Sequence, residues 1–253
     1  MIEFAVDGHV AVIRLDRVEA RNAINGEMAE AIEGAIDRLE DDDDLWVGVL
    51  THNGPVFCAG ADLKEIAAGR GDRLATKRGG FGGIVLRERT KPLIAAVDGH
   101  AVAGGTEITL ACDLVVASTA SRFGIPEVKR SLVAAAGGLV RLPRVLPPKI
   151  AMELALTGDE LDATRAHHFG LVNELCEAGR AVETALGLAA RINANAPLAV
   201  RASRQLVLDA PGQTDREAMR AAQQAMAALS DTEDFAEGPR AFIEKRPAVW
   251  KGR

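Results

Sequence analysis

The chain has no tyrosine, and aromatic residues make up only 4% of its 253 residues. The tyrosine hydroxyl is one of the few side-chain groups that can act as a general acid, so its absence excludes one class of proton donor. Any proton transfer by this protein must therefore depend on other side chains. Carboxylates are abundant, with 36 aspartates and glutamates.

Cysteine is also scarce, and its three copies are isolated: Cys58, Cys112 and Cys176 share no CxxC spacing. A disulfide framework or a cysteine metal site is therefore not expected, and a reducing cytoplasm fits best. We interpret all three as buried packing residues, and we expect the protein to bind no metal.

Long apolar runs are missing from the sequence as well. No stretch approaches the roughly 18 apolar residues that a membrane span requires. The first residues alternate as a strand does and include Asp7 and Asp16, unlike a signal peptide. The formal charge of -6 argues against nucleic acid as a partner, because general binding to it requires a basic face. We expect a soluble cytoplasmic protein with neither a membrane nor a nucleic-acid partner.

The N-terminal half combines strand and helix patterns. Asp7-Gly8 between two apolar runs predicts a β-hairpin, and Asn25 is a plausible cap for a helix with apolar residues at helical spacing. Further strands are predicted at 46–51, 92–97 and 114–117. Residues 68–83 are rich in glycine, and we expect this segment to pack little side-chain surface and to be partly mobile.

From Pro147 onward the pattern becomes helical, interrupted only by a short extended piece at 171–174. Helices are predicted at 147–156, 162–168, 179–193, 197–209, 214–229 and 233–244. Strands with helices first, and helices alone afterwards, indicate an α/β core with a helical C-terminal lobe. A chain of 253 residues suits one large domain with such an appendage.

Two glycine-bearing loops each follow a predicted strand and precede a helical pattern. The first spans residues 57–63, and the second spans residues 98–107. Backbone N–H groups at a helix start have no acceptor within the helix, and the helix dipole favours negative charge there. Two such groups that converge on one point would form an oxyanion hole, although either loop alone is explained equally well as a structural turn.

Two carboxylates lie in restrictive sequence surroundings. Glu107 follows the second loop among apolar residues, where a carboxylate is costly unless it is paired or functional. Pro126 fixes the backbone just before Glu127. Two carboxylates that face one site can hold different pKa values, so that one acts as acid and the other as base. The structural alternatives are a buried ion pair for Glu107, and a surface position or a salt bridge for Glu127.

Several segments, taken in order, resemble the enoyl-CoA hydratase/isomerase family, the crotonase superfamily. Residues 57–63 resemble the first oxyanion loop of that family, and residues 104–107 resemble the second. The similarity continues over nearly the whole chain at residues 22–25, 112–113, 123–127, 137–138, 156–158, 170–172 and 242–246. Each segment alone is weak evidence, but their common order is specific for the family.

The resemblance implies an α/β fold with a crotonase-like spiral core of repeated ββα units at residues 1–195. A C-terminal helical trimerisation lobe would occupy residues 196–253, giving a trimer or a dimer of trimers. The implied substrate is an acyl-CoA, and no cofactor is expected because coenzyme A is part of the substrate. The N–H groups of Ala61 and Gly104 would hold the thioester carbonyl, a contribution of about 2.7–4 kcal/mol per donor in other enzymes. We expect Gly104 to leave room for the thioester.

The reaction is inferred from the acid and base positions. Glu107 and Glu127 match the two glutamates that manage water in the family's hydratases, whereas its dienoyl isomerases have an aspartate at the position of Ala135. We therefore predict a hydratase acting on the 2,3 double bond of an enoyl-CoA, or the reverse dehydration, in fatty acid metabolism. A carnitinyl-CoA-type dehydratase remains an alternative, because hydratases often have glycine at the position of Ala135. An isomerase with one active glutamate is a second alternative, because the presence of the other glutamate does not prove its use.

Two other function classes fit less well. A non-catalytic acyl-CoA-binding protein would need neither glutamate. A Rossmann-type dehydrogenase would need a GxGxxG motif after its first strand, which this chain lacks.

For the coenzyme A moiety, the resemblance points to residues near both ends of the chain. Arg21 lies near the loop that contacts adenine and phosphate in the family, and Lys245 would reach a phosphate, also in a neighbouring subunit. A solvated surface charge is the alternative explanation for both. The predicted substrate-binding set is completed by Ala59, Ala61, Asp62, Leu63 and Gly104.

Overall fold

The computed structural model describes the whole chain, Met1–Arg253. The strands are β1 (Ile2–Asp7), β2 (Val10–Leu15), β3 (Val47–His52), β4 (Val56–Cys58), β5 (Ala75–Thr76), β6 (Gly80–Phe81), β7 (Leu93–Val97), β8 (His100–Val102), β9 (Leu114–Ser118), β10 (Arg122–Gly124), β11 (Glu160–Asp162) and β12 (Glu174–Cys176). The α-helices are α1 (Gly26–Asp41), α2 (Leu63–Ala67), α3 (Gly104–Ala111), α4 (Gly138–Val145), α5 (Pro148–Thr157), α6 (Ala163–His168), α7 (Ala181–Asn193), α8 (Pro197–Asp209), α9 (Asp215–Leu229) and α10 (Glu233–Glu244). Three 3-10 turns lie at Val18–Ala20, Gly71–Leu74 and Pro126–Arg130.

Two sheets organise the core, and between β3 and β10 the strands alternate between them, apart from the separate β5–β6 hairpin. The larger sheet has the order β1-β2-β3-β7-β9-β12 and is parallel except for the β1–β2 hairpin. The smaller sheet has the order β11-β10-β8-β4, with β4, β8 and β10 parallel. Each of β3, β7 and β9 is followed by a strand of the smaller sheet and then by a helix or 3-10 turn. These are the repeated ββα units of the predicted α/β core, and the fold class is confirmed.

The central strands of the larger sheet, β2, β3, β7 and β9, are buried on both faces, which explains why they are nearly continuous apolar runs. In β2, Ala11 and Ile13 join a cluster of 35 buried residues, whereas Val10 and Val12 join a second cluster of 11 on the opposite face. Successive strand residues point to opposite faces, so one short strand contributes to both clusters. Helix α7 covers the second face, and α1 packs into the first.

The sequence interpretation of the first half holds, with one correction. The hairpin forms, and the Asn25 side chain caps α1 by accepting the Met28 N–H at 2.9 Å. The glycine-rich segment packs more closely than expected. Leu74 is buried at the end of the 3-10 turn Gly71–Leu74, and in the β5–β6 hairpin the Gly79 N–H donates to Glu33 at 2.8 Å.

The C-terminal half is mainly helical as predicted, but two strands interrupt it. The extended piece expected at 171–174 becomes strand β12 only from Glu174, and strand β11 was not predicted. Helix α8 is attached to the core by Arg204, which pairs with Asp113 at 2.9 Å and donates to the Arg89 carbonyl at 2.5 Å. Helix α9 has no buried residue. The boundary at residues 195 and 196 stays a prediction. None of the helices combines the length and apolar character needed to span a bilayer.

Candidate active site

The first glycine-bearing loop joins β4 to α2 and is held on both sides by backbone hydrogen bonds. The Gly60 carbonyl accepts the Ile24 N–H, and the Asp62 N–H donates to the Ile24 carbonyl, both at 2.8 Å. These two bonds turn the intervening Ala61 N–H away from Ile24, and it donates to no group of the chain. An unused N–H on a held loop is available to a ligand.

The Asp62 carboxylate is already engaged within the chain. It caps α2 by accepting the Lys64 N–H at 3.0 Å and pairs with Arg17 at 2.8 Å. Burial opposes ionisation of Asp62, yet the Arg17 hydrogen bond and charge keep its pKa below the ordinary value. The Asp62 side chain therefore stabilises the loop. Any contact of this residue with substrate would be made by its backbone.

The second loop meets the first at two glycines. Gly104 opens α3, so the helix supplies no acceptor for its N–H. A methyl group added at Gly60 would lie 2.9 Å from the Gly104 nitrogen and 2.7 Å from the Ala103 Cβ. The two loops thus touch, with the Ala61 and Gly104 N–H groups on adjacent backbone, as an oxyanion hole requires.

The structure gives a further reason for glycine at position 104, and the room that it leaves for the thioester stays a prediction. A Cβ there would overlap the ring of Phe81 and lie 3.3 Å from the Gly60 Cα. The space next to Gly104 is thus occupied by an aromatic side chain of β6 and by the other loop. Glycine is required because the two loops and the β5–β6 hairpin pack together here.

Glu107 lies in the first turn of α3 and is 3% exposed. Its Oε1 accepts the Gly138 N–H at 2.9 Å. Burial raises its pKa, while the N–H groups of Gly138 and Ala136 and the charge of Arg141 act in the opposite direction. The carboxylate is thus desolvated, yet hydrogen-bond donors face its ionised form.

Glu127 lies in the 3-10 turn Pro126–Arg130, and its surroundings differ from those of Glu107. Its Oε2 is buried without a hydrogen-bond partner. Burial raises its pKa, its own N–H lowers it, and the negative charge of Glu107 raises it further. The two carboxylates are therefore within electrostatic reach of each other, and the surface alternative for Glu127 does not hold.

The remaining predicted binding residues are not all at this site. The Arg21 carbonyl accepts the Ala59 N–H at 3.1 Å, so Arg21 adjoins the first loop while its side chain is exposed. Leu63 begins α2 and is 51% exposed. Lys245 ends α10, and no hydrogen bond or ion pair of that helix reaches either loop.

Sequence reasoning missed Arg17, Phe81 and Arg141. Arg17 and Phe81 contact residues that are distant in the sequence, so no local pattern marks them. Arg141 carried one readable signal: it follows Gly137 by four residues on a helix, a spacing that places the two next to each other. No three or more His, Cys, Asp or Glu side chains are grouped as a metal site would require.

Comparison with known proteins adds to this geometry. The model of the enoyl-CoA hydratase/isomerase family matches residues 6–253. The chain belongs to this family. Among its relatives is enoyl-CoA hydratase EchA19 of Mycobacterium tuberculosis, 39% identical over 252 residues that cover 97% of this chain and 94% of that protein.

Two further relatives of the family support the assignment. Carnitinyl-CoA dehydratase of Salmonella typhi is 36% identical over 253 residues, covering 98% of this chain and 97% of that protein. A crystal structure of an enoyl-CoA hydratase from Mycobacterium tuberculosis superimposes with a TM-score of 0.96 at 44% identity, covering 100% of this chain and 99% of that one. The crotonase fold predicted from the sequence is thereby confirmed.

Proposed function

We propose that this protein adds water across the 2,3 double bond of an enoyl-CoA thioester, or removes it in the reverse direction. The observation that carries the proposal is a buried carboxylate, Glu107, and a partly buried one, Glu127, beside two unused backbone N–H groups. Relatives named as an enoyl-CoA hydratase and a carnitinyl-CoA dehydratase support the same reaction type. A non-catalytic binder would have no use for two desolvated carboxylates within electrostatic reach of each other.

The surroundings of the two glutamates favour different roles. Burial raises the pKa of Glu107, but backbone N–H donors and a cationic neighbour oppose that rise, and these groups suit Glu107 to the role of general base. Glu127 has an unpartnered oxygen and faces the charge of Glu107, so its protonated form is favoured as the general acid. Unlike environments for paired titratable groups are the usual way to separate an acid from a base.

In the hydration direction, the N–H groups of Ala61 and Gly104 hold the thioester oxygen. Glu107 removes a proton from water as the new C–O bond forms at C3, and the double-bond electrons move onto the thioester oxygen as an enolate. Glu127 then gives its proton to C2, and the carbonyl re-forms. The oxyanion hole acts mainly where this negative charge develops.

We assign the coenzyme A moiety to residues flanking the first loop. Arg21 adjoins this loop and presents an exposed cation, suited to a phosphate. Ala59, Asp62 and Leu63 would contact the substrate along the loop backbone. Lys245 makes no hydrogen bond or ion pair with the loops of its own chain, and we assign it to a phosphate in a neighbouring subunit.

That assignment implies an oligomer, and we propose a trimer, alone or doubled into a hexamer. Large apolar side chains on the C-terminal helices are exposed in the single chain, including Met219 (66%), Phe242 (85%) and Ile243 (78%). Burying such a surface between subunits is favourable.

The three cysteines are free thiols, which supports a reducing compartment such as the cytoplasm.

The test is turnover of a panel of enoyl-CoA substrates, beginning with crotonyl-CoA and including crotonobetainyl-CoA. The reaction is monitored by loss of the conjugated-enoyl absorbance.

Glu107→Gln and Glu127→Gln should each lower kcat by at least about 100-fold with little change in acyl-CoA binding. Glu30→Gln, an exposed glutamate of α1, is the matched control and should keep normal activity. Normal hydration by Glu127→Gln would exclude the two-glutamate mechanism and favour an isomerase. Binding without turnover of any substrate would favour the non-catalytic alternative.

A further inference from the structure

Arg141 occupies an unusual position on α4. Its Nη2 donates to the Val85 carbonyl at 2.5 Å, and its Nη1 donates to the Ala136 carbonyl at 3.4 Å. A Cβ at Gly137 would overlap this guanidinium, and Gly137 has a φ of 109° that side-chain-bearing residues rarely adopt. The guanidinium therefore lies directly against residues 136–138 and links them to the segment after the β5–β6 hairpin.

Residues 136–138 are the backbone that supplies N–H groups to Glu107. The peptide after Gly137 carries the Gly138 N–H, which Glu107 Oε1 accepts at 2.9 Å. The direction of this N–H depends on the conformation of Gly137, which has access to the left-handed region because it lacks a side chain. The Arg141 guanidinium packs against Gly137 and donates to the Ala136 carbonyl. These contacts fix the backbone that orients Glu107.

Arg141 also lacks a partner of opposite charge. Its guanidinium is partly buried, and no carboxylate lies within 4.0 Å of it. An isolated cation removed from water is unfavourable unless it is compensated. The two carbonyl acceptors and the nearby negative charge of Glu107 are the compensating groups here.

We propose that Arg141 is a positioning residue for the catalytic base: its guanidinium holds residues 136–138 so that the Gly138 N–H reaches Glu107. The positive charge of Arg141 also opposes the rise in the Glu107 pKa that burial causes. The inference rests on the proposed function in that it takes Glu107 as the base. Arg141 itself touches neither water nor substrate in this scheme.

Other ionisable groups also face this region and must be considered in any pH dependence. Glu127 and Arg130 come from the 3-10 turn, Cys112 from the end of α3, and Arg89 from the segment before β7. Arg144, on α4 itself, is exposed and close enough to lower the pKa of Arg141, after the larger effect of burial. The charge of Arg141 lowers the pKa of Glu107, against the larger effect of burial.

The test compares Arg141→Gln, Arg141→Lys and the control Arg144→Gln, which removes a charge from the same helix without touching residues 136–138. For Arg141→Gln we expect kcat to fall roughly 10- to 100-fold with little change in KM, because the base is misplaced. The acid limb of its pH profile should move upward by about one pH unit, because an attractive charge next to Glu107 is lost. Arg141→Lys should keep the limb near its normal pH and recover part of kcat. Arg144→Gln should match the wild type.

A second readout is independent of turnover. In protein labelled with ¹³C at the glutamate carboxyls, the Glu107 resonance, identified with Glu107→Gln, should titrate at higher pH in Arg141→Gln than in the wild type. An unchanged titration and pH profile would overturn the inference while leaving hydration intact. Wild-type protein without turnover would instead overturn the proposed function, and the titration would still decide the inference. Loss of folding in both Arg141 variants, seen by circular dichroism, would make Arg141 a structural residue and would also overturn it.

Discussion

Burial raises the pKa of both Glu107 and Glu127, so each holds its proton to a higher pH in the folded chain than in the unfolded one. The folded state then binds more protons than the unfolded state above the ordinary glutamate pKa of about 4.3. Stability is full below that pH and falls as the pH rises through the raised pKa values. Glu107 and Glu127 therefore lower the free energy of unfolding at pH values above their raised pKa values, where they ionise.

The resulting prediction is that Glu127→Gln melts at a higher temperature than the wild type at pH 8. Gln cannot ionise, so it avoids the desolvation of a charge, and about 1 kcal/mol shifts Tm by roughly 2–4 °C in a chain of this size. The difference should shrink as the pH is lowered toward 4. Thermal melts between pH 4 and 8 measure it, and a difference that stays constant over this range would contradict the linkage.

A second prediction at the scale of residues concerns Gly104 and Phe81. Gly104→Ala should lower turnover and stability, because its Cβ overlaps the Phe81 ring and presses on Gly60. Phe81→Ala in the same chain should recover part of both, since the ring is the nearest obstacle. A double-mutant cycle with activity and urea unfolding measures the coupling. Purely additive losses would mean that the overlap with Phe81 is not what excludes a side chain at position 104.

At the scale of elements, the loop between β4 and α2 depends on one partly buried ion pair. Arg17 binds both the Asp62 carboxylate at 2.8 Å and the Ala23 carbonyl at 2.9 Å. Arg17→Leu leaves Asp62 charged, desolvated and unpaired, so we expect a loss of about 1–3 kcal/mol in the free energy of unfolding. Activity should fall as well, because the loop carries the Ala61 N–H.

The matched control for this element is Arg180→Leu, which removes an exposed pair with Glu183. Exposed pairs contribute about 0–1 kcal/mol, so that variant should be nearly unchanged. Urea unfolding and the enoyl-CoA assay on both variants give the comparison. Equal effects of Arg17→Leu and Arg180→Leu would show that the Asp62 pair is no more important than a surface pair.

At the scale of the whole molecule, the prediction is assembly. Light scattering at micromolar concentration should give three or six times the 26.7 kDa mass of the chain. The double variant Phe242→Ser, Ile243→Ser should shift the mass toward the monomer, because it removes two of the most exposed apolar side chains of α10. Its core should still fold, as circular dichroism can check. A monomeric wild type would refute the proposed assembly.

Much of the fold followed from local sequence patterns. The β1–β2 hairpin, the Asn25 cap and the C-terminal helices were all predictable, because turn chemistry, capping and periodicity act between residues close in the chain. The glycine-rich segment was misjudged for the complementary reason. Its packing depends on Glu33, 46 residues before Gly79, and no local pattern reveals that contact.

The sequence by itself determined the chemistry available to this protein: the glutamates at 107 and 127, two loops with glycine before helices, and no tyrosine. Only the tertiary structure decided how these parts act together. It brought Gly60 against Gly104, placed Phe81 where a side chain at 104 would stand, and set Arg141 beside the backbone that binds Glu107. Such contacts join residues tens of positions apart, and they form because close packing of the core leaves those backbone segments no other arrangement.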